Sequence, residues 1–152
     1  MPRAELGGID SLVSHGRPYL FVDRVMEYKS GEGIECEMVI RGDEPYLSGH
    51  FPGRPVLPGV FEVEAMFQAA EAFIALEGEE KGIIYNPGDI ELYKIVSAKF
   101  LRTITPPASL TVSARLNKID GNMIKFKGIK FKGSIYNGTE KCAESSFVVK
   151  VS

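Results

Sequence analysis

One segment of the chain, residues 59–76, is apolar around nearly the whole circumference of a helix, and this limits the possible folds most. Its valine, phenylalanine, alanine, methionine and isoleucine side chains point to most sides of such a helix, which is typical of a helix that is buried on most sides. At 1.5 Å per residue, ~18 residues span about 27 Å. We therefore predict a long central helix that begins at Gly59 and stops near Gly78.

Most of the remaining chain has the composition of β-strands. Six runs are rich in β-branched and aromatic residues, namely residues 21–28, 34–40, 90–100, 110–119, 123–136 and 140–151. Residues 34–40 alternate apolar and polar, which indicates a half-buried strand, and Asn137-Gly138 is a strong hairpin signal. With a short helical segment near residues 9–13, this pattern predicts an α+β fold in which an antiparallel sheet wraps one helix.

Length and charge narrow the class of protein. The chain has 152 residues and a formal net charge of −2, which favours one domain over residues 1–152 and no nucleic-acid partner. Neither a secretory leader nor an apolar stretch of the ~20 residues that cross a bilayer is visible, so we expect a cytoplasmic protein without a membrane partner. Cys36 and Cys142 are far apart in sequence and both lie in strand-like runs, which favours reduced, partly buried thiols.

A lysine pattern near the end of the chain allows two interpretations. Lysines alternate with other residues at Lys125, Lys127, Lys130 and Lys132, which would suit a polyanion-binding surface. Within a strand hairpin, a solvated or edge-protecting face is the favoured interpretation.

The candidate chemistry lies around the start of the predicted helix. Residues 42–58 contain repeated prolines and glycines, which predict a stiff, extended loop. His50 lies on this loop, and although a single histidine is more often structural, rigid loops commonly carry catalytic groups. Pro58-Gly59 suits the first turn of a helix, whose N–H groups could stabilise negative charge on a carbonyl oxygen.

Acidic residues on the helix give a second candidate. Glu64 shares a narrow polar stripe with Gln68 and Glu71, and the helical wheel alone slightly favours a solvent-exposed stripe. If Glu64 is enclosed instead, burial would keep it protonated and able to act as a general acid. Glu62 lies on another side of the helix and has the pattern of an ordinary charged residue that suits the helix dipole.

Taken together, these segments resemble a known family. Residues 49–60 read Gly-His-Phe-Pro-Gly-Arg-Pro-Val-Leu-Pro-Gly-Val, and Glu64 and Gln68 follow. This is similar to the signature of the FabZ-type 3-hydroxyacyl-[acyl-carrier-protein] dehydratases of type II fatty acid synthesis. Residues 15–25 and 98–102 are similar to two further motifs of that family, so the resemblance covers about residues 9–110.

The resemblance implies a fold and a reaction. It implies the hot-dog fold, a homodimer with each active site between two subunits, and in many family members a trimer of dimers. His50 of one subunit would be the base and Glu64 of the other the acid, while the Gly59 N–H polarises the thioester carbonyl. The substrate would be a 3-hydroxyacyl chain on the phosphopantetheine arm of acyl carrier protein, with no metal and no cofactor.

Other positions follow from the resemblance less directly. Gln68, Phe51 and Val60 would support or position the substrate, Tyr93 is a candidate for a tunnel gate, and His15 is expected to be structural. The sequence departs from the family at residues 107–109, Pro-Ala-Ser in place of Pro-Gly-Asp. This departure bears on the local turn and on docking of the carrier.

Two rival functions remain open at this stage. A hot-dog thioesterase would bind the same kind of thioester but would not need a helix glutamate paired with a loop histidine. A non-catalytic subunit that binds acyl carriers would fit the altered residues 107–109, but it would not explain the presence of both His50 and Glu64.

Overall fold

The structure is a computed structural model that describes residues 9–13, 16, 19–47, 51–86, 88–120 and 127–152. It contains one long helix, α1 (Gly59–Glu80), and six strands. The strands are β1 (Arg24–Lys29), β2 (Gly33–Ile40), β3 (Ile90–Phe100), β4 (Ala108–Asp120), β5 (Lys127–Asn137) and β6 (Glu140–Val151). Short 3-10 turns lie at Ile9–Ser11 and Pro45–Leu47. The predicted α+β architecture is therefore confirmed.

The six strands form one antiparallel sheet in the order β1-β2-β4-β5-β6-β3. The hairpin between β5 and β6 turns at Gly138, whose φ of 64° lies in the left-handed region that glycine adopts readily. This order leaves β1 and β3 at the two edges. It places β5 in the interior, between β4 and β6.

Helix α1 packs on one face of this sheet. Ala65, Met66, Ala69 and Ala70 are completely buried, and the three alanines are small enough for the helix backbone to approach the strands closely. At Gly133 on β5, an added Cβ would lie 2.9 Å from Met66. The helix that the sequence predicts to be central is therefore at the centre of the core.

The predicted end of the helix is wrong, and so is one of the two alternatives for the lysines. The helix does not stop at Gly78 but continues to Glu80, because the glycine serves packing: a Cβ there would lie 2.9 Å from the Ile83 carbonyl and 2.7 Å from the Tyr85 ring. The lysines of β5 do not protect an edge, because β5 has a neighbour on both sides, but the alternative of a solvated face is confirmed for Lys132, which is exposed. Lys125 lies outside the described residues.

Two further observations concern the cysteines and membrane-spanning helices. Cys36 and Cys142 are buried, free thiols on β2 and β6, as the sequence predicts. Within the described ranges no helix is long and apolar enough to cross a membrane.

Candidate active site

The loop before α1 is stabilised by its own backbone. The Phe51 N–H donates to the Arg54 carbonyl at 2.9 Å, and the Arg54 N–H donates back to the Phe51 carbonyl at 2.8 Å. Gly53 turns the chain with a φ of 74°. Further on, the Leu57 N–H donates to the Ile104 carbonyl at 2.9 Å and fixes the loop to the strand connection. His50 and His15 lie outside the described residues, so the role of His50 as the base stays a prediction.

The start of α1 has no side-chain cap among the described residues. Pro58 is the N-cap residue with extended backbone, and its carbonyl accepts the N–H groups of Phe61 and Glu62 at 3.0 and 3.2 Å. A Cβ on Gly59 would lie 3.0 Å from the Phe100 ring, so the residue must be small for the helix to begin against β3. The predicted carbonyl-polarising role of the Gly59 N–H stays a prediction, and the lack of a side-chain cap leaves room for it.

Glu64 lies on the first turns of α1, at the edge of an open cleft. The cleft has a volume of about 370 Å³ and is lined by Tyr19, Phe21, Val60, Phe61 and Glu64. The Glu64 side chain is half-buried, and its Oε2 atom is shielded from solvent. A largely apolar cleft with one carboxyl group suits an acyl chain that reacts at a single polar position.

The polar stripe on α1 is buried, contrary to the slightly favoured solvent-exposed interpretation. Gln68 is 0% exposed and Glu71 3% exposed. The Gln68 side-chain amide donates to the Tyr19 carbonyl at 2.8 Å and accepts from the Phe21 N–H at 2.9 Å. Both hydrogen bonds hold residues 19–21 against the helix, so Gln68 positions one wall of the cleft.

An aromatic cluster supports this wall. The rings of Phe21, Tyr46 and Phe61 pack in mutual contact with centroid distances of 4.9 to 5.3 Å. Tilted and edge-on ring pairs of this kind stabilise a fixed arrangement beyond simple burial. The side of the cleft next to Glu64 is therefore held by packing as well as by the hydrogen bonds of Gln68.

The remaining predicted positions fall in different places. Val60 is 72% exposed and lines the cleft, whereas Phe51 is 56% exposed and lies outside the cleft lining. Tyr93, the candidate gate, is 53% exposed on the edge strand β3. A role for any of these side chains in substrate binding stays a prediction.

Glu62, two residues before Glu64 on α1, differs from its prediction. The prediction of an ordinary surface charge is wrong, because the residue is only 4% exposed and burial raises its pKa to about 7. Its Oε1 atom has no hydrogen-bond partner in the described part of the chain. The helical spacing contains a signal for this: Met66 and Ala69, at i+4 and i+7, are apolar and continue the same stripe.

Comparisons with known proteins identify the family of this chain. A family model described as a FabA-like domain matches residues 13–146. The chain belongs to the FabA-like family. Among curated relatives, the 3-hydroxyacyl-[acyl-carrier-protein] dehydratase FabZ of Paracidovorax citrulli is 38% identical over 122 residues, 78% of this chain and 80% of the relative. The FabZ of Klebsiella pneumoniae is 32% identical over 138 residues, 88% of each chain.

A solved structure confirms the fold of this FabA-like chain. The dehydratase heterocomplex ApeI:P from Xenorhabdus doucetiae contains a chain that matches with a TM-score of 0.73 at 19% identity. The match covers 96% of this chain and 91% of the other. The long helix on a six-stranded antiparallel sheet is the hot-dog fold that the sequence resemblance implies, and the resemblance itself is confirmed by the family match.

Proposed function

We propose that this protein is a hydro-lyase of fatty acid biosynthesis that converts 3-hydroxyacyl chains on acyl carrier protein into trans-2-enoyl chains. The observation that carries the proposal is the position of Glu64 at an apolar cleft, five residues after Gly59, where α1 starts without a side-chain cap. Membership in the FabA-like family and relatives named as 3-hydroxyacyl-[acyl-carrier-protein] dehydratases support the same reaction.

In the proposed mechanism the substrate is activated before proton transfer. The α-proton of a thioester is far too weakly acidic for a free imidazole, whose pKa is ~6.5. A hydrogen bond from the Gly59 N–H to the thioester carbonyl would stabilise the enolate-like charge that develops when this proton leaves. The helix dipole adds to this stabilisation because the carbonyl lies at its positive end.

His50 then removes the α-proton, and Glu64 gives its proton to the departing β-hydroxyl group, so that water leaves and the double bond forms. Each placed acid or base usually contributes ~10²–10⁴-fold to the rate. The half-buried position of Glu64 favours its role as proton donor, because the carboxyl group loses part of its hydration there.

We also propose that two copies form the working unit through β3. This strand is 11 residues long, lies at an edge of the sheet and is exposed after its first residue. It presents apolar side chains that include Leu92, Ile95 and Val96, and an edge of this kind invites another strand to pair with it. Phe100 on β3 also packs against Gly59, so a partner along β3 would lie beside the start of α1, where His50 of one subunit is expected to meet Glu64 of the other.

The test is the product formed from a 3-hydroxyacyl chain on acyl carrier protein, followed by intact-protein mass spectrometry. We expect loss of one water with the thioester preserved, and a rate at least ~10²-fold lower in Glu64→Gln and in His50→Ala. Glu80→Gln, at the exposed end of the same helix, is the matched control and should retain full activity. A free acid and free carrier thiol would indicate a thioesterase instead, and full activity in Glu64→Gln would contradict the mechanism.

A further inference from the structure

The face of the sheet that points away from α1 carries a cluster of cations, which we call the basic face: Lys94, Lys99, Arg115, Lys130 and Lys132. Arg115 on β4 pairs in register with Lys132 on β5. Lys130 pairs with Val148 on β6, which pairs with Lys94 on β3. Neighbouring strands are about 4.8 Å apart, so Arg115 and Lys132 are direct neighbours, whereas Lys130 and Lys94 are separated by Val148.

The charges of the basic face are only partly compensated, and least so at Lys94 and Lys130. In the described part of the chain, none of its five cations forms a salt bridge. Glu144 lies opposite Lys99 in register and pairs with Lys141, and Arg115 shares a cleft with Glu27, Glu32 and Glu35. Lys141 lowers the pKa of Glu144 most, with further contributions from Lys99 and Lys132. A chain with a net charge of −2 thus gathers cations on one side.

Folding does not explain this arrangement. Like charges directly opposite on paired strands destabilise a sheet, and Arg115 faces Lys132 in that way. Protection of an exposed edge accounts for Lys94 and Lys99 on β3, but not for Arg115, Lys130 and Lys132, because β4 and β5 are interior strands. These interior cations, which protect no edge, point to a ligand outside the chain.

We propose that the basic face binds the surface of a membrane rich in anionic phospholipid headgroups, as a peripheral contact. The residues between its cations include Ser97, Ser146 and Val148, which are small or half-buried, so these positions provide no large apolar anchor. Protein interfaces usually have such anchors in their core and contain few lysines there. A charged lipid surface requires only cations close to it.

The sequence prediction of no membrane partner concerned spanning segments, and a charged surface is a different mode of contact. Docking on this face would leave α1 and the Glu64 cleft on the opposite side of the sheet. The cleft would therefore remain accessible to a carrier while the protein is bound. Lys94 and Lys99 lie on β3, so a β3-paired dimer would place two basic faces side by side; only this last step rests on the proposed function.

The test is co-sedimentation of the full chain with vesicles of phosphatidylcholine alone or with phosphatidylglycerol added, at low and high salt. We expect binding to the anionic vesicles only, and loss of binding in high salt. Lys130→Glu with Lys132→Glu should lower the partition coefficient by about 30-fold or more, since each basic residue near such a surface contributes roughly fivefold. Arg41→Glu with Lys81→Glu, which changes the net charge equally at exposed positions elsewhere, should retain most of the binding.

Three outcomes would overturn the proposal. The first is no binding of the wild-type chain to anionic vesicles at low salt, and the second is an equal loss in both double variants. The third is a basic-face variant that binds vesicles normally but slows turnover of the carrier-linked substrate while sparing the pantetheine-linked one, which would assign the face to an acidic protein. Lys94→Gln with Lys99→Gln repeats the test without adding carboxylates, and circular dichroism checks that each variant folds. Because vesicle binding is measured without substrate, its failure is distinguishable from failure of the proposed reaction.

Discussion

Replacing Glu62 by glutamine removes a buried ionisable group while preserving its shape, and we expect this to stabilise the protein at alkaline pH. The Glu62 side chain is 4% exposed, and burial raises its pKa from 4.5 to about 7. The folded state therefore favours the protonated form. Below pH 4.5 the carboxyl is protonated in both states and has no penalty, whereas above pH 7 the folded state must hold a buried charge that the unfolded chain would solvate.

The size of the effect follows from the pKa difference. One pKa unit corresponds to 1.36 kcal/mol, so the shift to about 7 makes the folded state less stable by about 3 kcal/mol at most above pH 7. Glu62→Gln should therefore be more stable than the wild type by up to about 3 kcal/mol at pH 8. The difference should decrease steadily between pH 7 and pH 4.5 and vanish below it. In a chain of this size, 1 kcal/mol shifts the Tm by roughly 2–4 °C.

The assay is urea unfolding of both proteins at equal concentration from pH 4 to pH 8, because self-association would otherwise alter apparent stability. Glu80→Gln is the control, since this exposed carboxyl at the helix end should give a small difference without the same pH dependence. A difference between Glu62→Gln and the wild type that stays constant across this range would refute the reasoning.

Three further predictions concern single residues near the core and the site. Gly59→Ala should destabilise the protein by about 1–3 kcal/mol in chemical unfolding, because the new Cβ would lie 3.0 Å from the Phe100 ring; unchanged stability would show that the ring moves freely. Gln68→Leu should cost about 1–3 kcal/mol, since it leaves the Phe21 N–H without its acceptor, and it should raise the KM if it also loosens the cleft wall. Burial raises the pKa of the Cys36 thiol to about 12, so this thiol should resist alkylation at pH 8 until the protein is unfolded, as peptide mass mapping would detect.

Much of the fold could be predicted because local pattern and tertiary burial agree over most of the chain. The predicted bounds of β3 and β6 match the structure, since both strands are long and begin next to turn residues. The end of α1 could not be found in this way, because Gly78 is small for the sake of Tyr85 and Ile83, which follow later in the chain. Sequence spacing contains no information about that contact.

Part of the candidate site could likewise be predicted from the sequence, and part could not. The motif at residues 49–60 and Glu64 could be recognised because their residue types and spacing are specific. The burial of Gln68 and Glu71 could not, since a polar stripe on a helical wheel looks the same whether water or another part of the chain covers it. The interior position of β5 likewise depends on the strand order of the sheet, which the lysine pattern alone does not reveal.

Glu62 and Glu64 show why the pH dependence of activity must be separated from that of stability. The two carboxyls are two residues apart on α1. The Glu62 side chain is buried, whereas Glu64 borders the cleft. An alkaline loss of activity in the wild type would combine destabilisation through Glu62 with deprotonation of the proposed acid. In Glu62→Gln only the second cause remains, so the alkaline limb of its kcat profile should report the reacting groups alone. If kcat of Glu62→Gln did not fall at alkaline pH, unfolding would be the cause of the loss in the wild type. Glu64 would then no longer be required as the proton donor.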